Sequence, residues 1–175
     1  MRFHLTQKLA KKAGLHSLPE ASGETHELGI WYAHLFRVER RQYVLFTNPA
    51  TAFSVLDYGR GIVSGETLFQ AFSYQLQTYL NALGLYPPYL VAVGAELKTC
   101  EFCKTADRST LGIMNDNIDL CKCYRDDGEG AYVPVLMHRM NETPHKTKAA
   151  AEYFHPLEVF QSRLRRSIIF PVPEV

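Results

Sequence analysis

Residues 31–58 constrain the fold of this chain most. Two runs of aromatic and β-branched residues, Trp31 to Val38 and Tyr43 to Thr47, flank the polar stretch Glu39-Arg40-Arg41-Gln42. A third run, Ala52 to Tyr58, follows Asn48-Pro49 and stops at Gly59. Such side chains fit a pleated, half-buried surface, and the polar breaks between them mark reversals. The stretch therefore predicts a meander of three antiparallel strands.

The flanking sequence supplies helices. Residues 2–6 alternate apolar and polar positions and predict a short strand. Thr6 then caps a helix through Ala13 that Gly14 ends, and residues 16–28 predict an exposed loop. Ser64-Gly65-Glu66 opens the clearest helix, with Leu68, Phe69, Phe72, Leu76, Tyr79, Leu80 and Leu83 on one face and Gly84 at its end. After Pro87-Pro88 a strand is expected from Tyr89 to Leu97. Leu111, Met114, Ile118 and Cys121 recur at helical spacing and predict a helix over 109–123. A turn at 126–130, a strand from Ala131 to Met140 and a break at Thr143-Pro144 follow. A helix near 147–153 and another from Pro156 to Arg166 precede an extended tail, 167–175. Strands and helices mix without regular βαβ alternation. The expected class is α+β: one domain over 1–166, with a mainly antiparallel sheet and several packed helices.

Bulk properties narrow the function classes. Of 175 residues 46% are hydrophobic and 21% charged, ordinary values for a globular domain. Nineteen Lys and Arg against eighteen Asp and Glu leave a formal charge of +1. That balance argues against attachment to nucleic acid by bulk charge and leaves room for a local patch. No apolar run approaches the ~20 residues of a membrane span, and the N-terminal segment lacks a signal-peptide core. A cytoplasmic protein without a membrane partner is expected.

Three constellations could carry chemistry. The first is Asp107-Arg108-Ser109-Thr110-Leu111-Gly112, which reads as a capped helix start with a cation beside it. Unpaired amide N–H groups and the positive end of the helix dipole favour an anion there, and Arg108 can clamp one with paired hydrogen bonds. The alternative is a helix terminus with no ligand. The second is Cys100-x2-Cys103 with Cys121-x-Cys123, four thiols that suffice for a structural zinc. Cys121 and Cys123 nevertheless lie about 200° apart on a helix, and Cys121 continues an apolar stripe. Zinc is the only cofactor the sequence raises. The third is the run from His138 to His145, whose histidine, arginine and carboxylate suit acid–base chemistry or a polar turn before Pro144. The basic clusters Lys8/Lys11/Lys12, Arg37/Arg40/Arg41 and Arg163/Arg165/Arg166 read as separate solvated surfaces.

Several segments together resemble one family of bacterial proteins known only as a domain of unknown function. They are Phe3-His4-Leu5-Thr6-Gln7-Lys8-Leu9, Trp31 to Arg37, Tyr43 to Asn48, Arg108-Ser109 with Gly112 and Met114-Asn115-Asp116, and Met140 to Pro144. The resemblance spans roughly residues 2–165 and implies a compact intracellular domain. It carries no activity, cofactor or catalytic residue with it, and the cysteines lie outside it.

The leading expectation is a binding module for an anionic ligand, a nucleotide or nucleic-acid phosphate. Its site would be Arg108, Ser109 and Gly112, with Asn115, Asp116, His34, Asn48, Asn141 and Glu142 as neighbours. A phosphodiester-cleaving enzyme using His34 or His138 with Arg108 is the rival. A structural or protein-interaction domain, stabilised by zinc or not, is the third reading.

Overall fold

The computed structural model describes residues 1–94, 96–105, 107–126, 132–146 and 152–169. The meander forms where the aromatic and β-branched runs place it. Strands β2 (Ile30–Val38), β3 (Arg41–Thr47) and β4 (Ser54–Tyr58) pair antiparallel, Tyr32 opposite Thr47 and Thr47 opposite Ser54. Val38 faces Arg41 across a two-residue loop, where Glu39 takes a left-handed backbone with φ 49°. Strand β1 (Arg2–Leu5) lies parallel to β2, and β5 (Glu101–Lys104) lies parallel to β1 on its other side. Parallel neighbours need long crossovers, and the helical segments supply them. The sheet has five strands in the order β4-β3-β2-β1-β5, with antiparallel ladders longer than parallel ones. The class is α+β, with a mixed sheet.

Alternation along the strands makes two faces. On one, Phe3, Trp31 and Phe46 meet α2 (Gly65–Ala82), whose Phe72 ring lies 4.9, 4.8 and 5.0 Å from theirs. Helix α2 starts with a capping box: Thr67 N–H donates to Ser64 Oγ (3.1 Å) and Ser64 N–H to Thr67 Oγ1 (3.0 Å). The other face carries His4, Tyr32, Thr47 and Ser54. Helix α4 (Arg108–Asp126) packs on β2 and β3 there, and its Asn117 Nδ2 donates to Ser54 Oγ at 3.1 Å. Helix α1 (Gln7–Lys12) follows β1 and buries Leu9 and Ala10; Gly14 ends its turn at φ 68°. Thr6 sits at its N-cap position, but no side-chain capping bond forms.

Two expected strands are helices. Residues 86–93 form α3 (Tyr86–Val93), not the start of a strand. Pro87 and Pro88 occupy first-turn positions, where a missing N–H costs nothing. Tyr89 and Val93, four apart, are buried, and Tyr89 Oη donates to Leu28 O at 3.0 Å. Residues 133–142 form α5 (Val133–Glu142), burying Val133, Leu136, Met137, Met140 and Asn141. That spacing is helical, and the apolar run was short enough to read either way. Helix α6 (Pro156–Ile169) continues past Arg166 into the expected tail, and its Phe160 stacks on Phe53 at 4.2 Å. The expected turn at 126–130 and helix near 147–153 fall almost wholly outside the described residues. Among the described residues no helix is long and apolar enough to cross a membrane.

Candidate functional site

The start of α4 is already occupied by its own cap. Asp107 Oδ1 accepts from Ser109 N–H (2.8 Å), and Oδ2 accepts from Thr110 N–H (3.1 Å) and from the Thr110 hydroxyl. Burial raises the Asp107 pKa, and these three hydrogen bonds outweigh it, so the carboxyl is held below its ordinary value. An anion approaching here meets a carboxylate on two of the amides it would use. Arg108, Ser109, Gly112, Asn115 and Asp116 are all exposed. A Cβ on Gly112 would meet nothing within 4 Å, so no backbone or side chain presses on that glycine.

Two of the remaining expected neighbours, Asn48 and Asn141, turn inward. Asn48 Nδ2 donates to Glu27 O (2.8 Å) and Ile30 O (2.9 Å), while its Oδ1 accepts from Thr51 (2.8 Å). Asn141 Nδ2 donates to Ser54 O (2.8 Å) and Met137 O (2.9 Å), and its Oδ1 accepts from Ser54 N–H (2.7 Å). Both are fully buried and spend both amide protons inside the fold. Glu142 is exposed and lies 3.3 Å from His138 Nε2, one helical turn back along α5. His138 and Glu142 therefore meet on one helix face, whereas on a strand the same four-residue step would keep them on one side but about 13 Å apart.

His34, near the middle of β2, is half-buried. Burial pushes its pKa down, and Lys8 pushes the same way. His145 is buried, and burial lowers its pKa against Asp116 and a Met140 backbone hydrogen bond, which raise it. A histidine with its folded pKa below the unfolded 6.5 binds its proton more readily when unfolded. Stability then falls as pH drops through the unfolded value toward the folded one. The thermal midpoint is expected to decline from about pH 7 to about pH 5, and His34→Gln with His145→Gln to flatten that slope. An unchanged slope in the double variant would refute the assignment.

The four cysteines are free thiols: Cys103 and Cys121 buried, Cys100 partly buried, Cys123 exposed. Burial pushes Cys100 and Cys121 up to about 12 and Cys103 up to about 11. Cys121 Sγ lies 3.9 Å from Met140 Sδ, within the interface of α4 and α5. Among the described residues no three His, Cys, Asp or Glu side chains gather as a metal site.

The fold does assemble a site that the linear reading divided. At the end of the sheet where the β2–β3 loop and the end of β4 meet α1, a groove of about 720 Å³ is lined by Lys12, Arg37, Arg40, Arg41, Gln42, Tyr58, Arg60 and Gly61. Five of these are cations and none is an acid. Among the described residues the salt bridges involve none of the five. The nearest acids in sequence are Glu39, in the hairpin loop, and Asp57, whose Oδ1 accepts from Gln75 (3.0 Å) and from Tyr58 N–H (2.7 Å). Gly61, at φ 87°, turns the chain beside the cations through backbone space few other residues adopt. The chain as a whole is formally +1, so these charges are concentrated against an acidic remainder. Arg37, Arg40 and Arg41 were visible as a cluster, and so was Lys12 in another. Their meeting with Arg60 depends on β4 and α1 flanking one hairpin, which no local pattern reports.

No curated protein matches the chain. Residues 2–159 match the family DUF6933, described as a domain of unknown function, and the chain belongs to that family.

Proposed function

We propose that the protein is a binding module for an anionic ligand, a nucleotide or nucleic-acid phosphate, and that the ligand sits in the groove at the hairpin end. The observation that supports this reading is the lining itself: five cations and no carboxylate around one concavity. Arginine stays charged at all physiological pH and presents paired donors matched to phosphate oxygens. Gathering such charges in the apo protein costs repulsion, and an anion relieves it. The start of α4, with Arg108 exposed, is the weaker alternative because Asp107 already holds two of its amides. Neither histidine nor carboxylate lines the groove, and this favours binding over phosphate cleavage there.

Calorimetric titration with inorganic tripolyphosphate at low salt tests the reading. Arg37→Ala with Arg41→Ala is expected to weaken binding at least about tenfold, two charge-assisted contacts being lost. Loss of binding in Arg108→Ala, with the groove variant still binding, would move the site to α4. Absence of any binding would end the anion reading.

A further inference from the structure

We infer that the groove takes single-stranded nucleic acid, its arginines on the phosphates and Tyr58 under an unpaired base. This builds on the anion-binding reading above and adds the class of ligand. A second feature of the groove carries it. Phe36, Tyr43 and Tyr58 form a ladder of rings across neighbouring strands: Phe36 to Tyr43 at 5.5 Å and 24°, Tyr43 to Tyr58 at 5.4 Å and 34°. Phe36 and Tyr43 are buried, whereas Tyr58 is 40% exposed and lines the groove beside the cations. A flat aromatic ligand can continue that ladder by one step. A planar base carried on a phosphate backbone offers both the ring and the charge.

Other polyanions fit less well. In a duplex the bases are already stacked and paired, so none offers a free face to Tyr58. An anionic bilayer is broad and cannot follow cations into a recess. An acidic peptide supplies charge without a planar ring for each acid. The charge pattern is also sequence-blind, since phosphates look alike whatever base they carry. Recognition of strand state rather than of sequence is the expected behaviour.

Fluorescence anisotropy with a labelled oligothymidylate tests this, with tripolyphosphate, the hybridised duplex, polyglutamate and phosphatidylserine vesicles as comparison ligands. The oligothymidylate is expected to bind tightest, with a log–log salt slope near about −3.5 if all five cations meet phosphates. In Tyr58→Leu, which keeps apolar contact with Tyr43 but loses the ring, the preference for oligothymidylate over tripolyphosphate is expected to fall about tenfold. Tyr58→Phe, which retains a ring, is expected to restore that preference, and it remains informative if the leucine variant fails to fold. Equal preference in all three proteins would overturn the inference and leave anion binding standing. So would duplex, polyglutamate or vesicles binding as tightly as the single strand. If neither tripolyphosphate nor oligothymidylate binds, both readings fall together.

Discussion

Phe72→Ala is expected to lower the free energy of unfolding by about 4 kcal/mol. Phe72 is fully buried, and its ring meets Phe3, Trp31 and Phe46, one from each of β1, β2 and β3. Those three rings are fixed to paired strands, so they cannot move in to close the space that truncation leaves. The loss then combines the hydrophobic transfer of a whole ring with the contacts its neighbours forfeit. Phe69, one turn earlier on α2, is partly buried and meets Phe3 at 6.1 Å. Its truncation should cost about 1–2 kcal/mol. Urea denaturation reads the difference as a shift in midpoint at constant slope. Equal losses at the two positions would show that the helix–sheet contact is not centred on Phe72.

That contact was legible from the sequence because one rule generated each half of it. Aromatic and β-branched content marked Trp31 to Val38 as a strand, and helical spacing from Leu68 to Leu83 placed Phe72 on the apolar stripe. Rules of this kind failed where a segment was short and apolar throughout. Residues 89–97 and 131–140 gave no clean alternation, and proline was taken as a break where it stood in a helix's first turn. The parallel strand β5 is four residues long with two charged ends, so nothing marked it before its partners were known.

The candidate site divided differently. Asp107 could be recognised as a helix cap, but capping and anion binding draw on the same amide protons, and the cap holds them here. Asn48 and Asn141 stood out as polar residues in distinctive segments. Polarity alone does not say whether an amide faces a ligand or repairs the backbone. The groove depended on proximity between residues as distant as Lys12 and Arg60, which only the sheet order and its flanking helix provide.

Asn141→Ala is expected to cost about 3 kcal/mol, a large loss for a polar residue. Strand β4 is at the edge of the sheet, and Asn48 N–H donates to Phe53 O at 2.9 Å. Pairing there leaves the N–H and C=O of Ser54, the next residue, directed away from β3. The Asn141 side chain meets both, accepting at 2.7 Å and donating at 2.8 Å, and so does for one residue what a further strand would do for a row of them. Ser54 is itself fully buried, its hydroxyl sharing hydrogen bonds with Thr47 at 2.9 Å and Asn117 at 3.1 Å. Water cannot easily replace the lost amide, and two backbone groups are left unpaired in the interior. Asn115→Ala, on an exposed position of α4, is the control and should stay within about 0.5 kcal/mol of the parent. Hydrogen exchange adds a local reading, because the Ser54 amide loses its acceptor in the Asn141 variant and should exchange faster than its neighbours in β4. An Asn141→Ala protein as stable as its parent, with Ser54 still protected, would mean that the edge is held by something else.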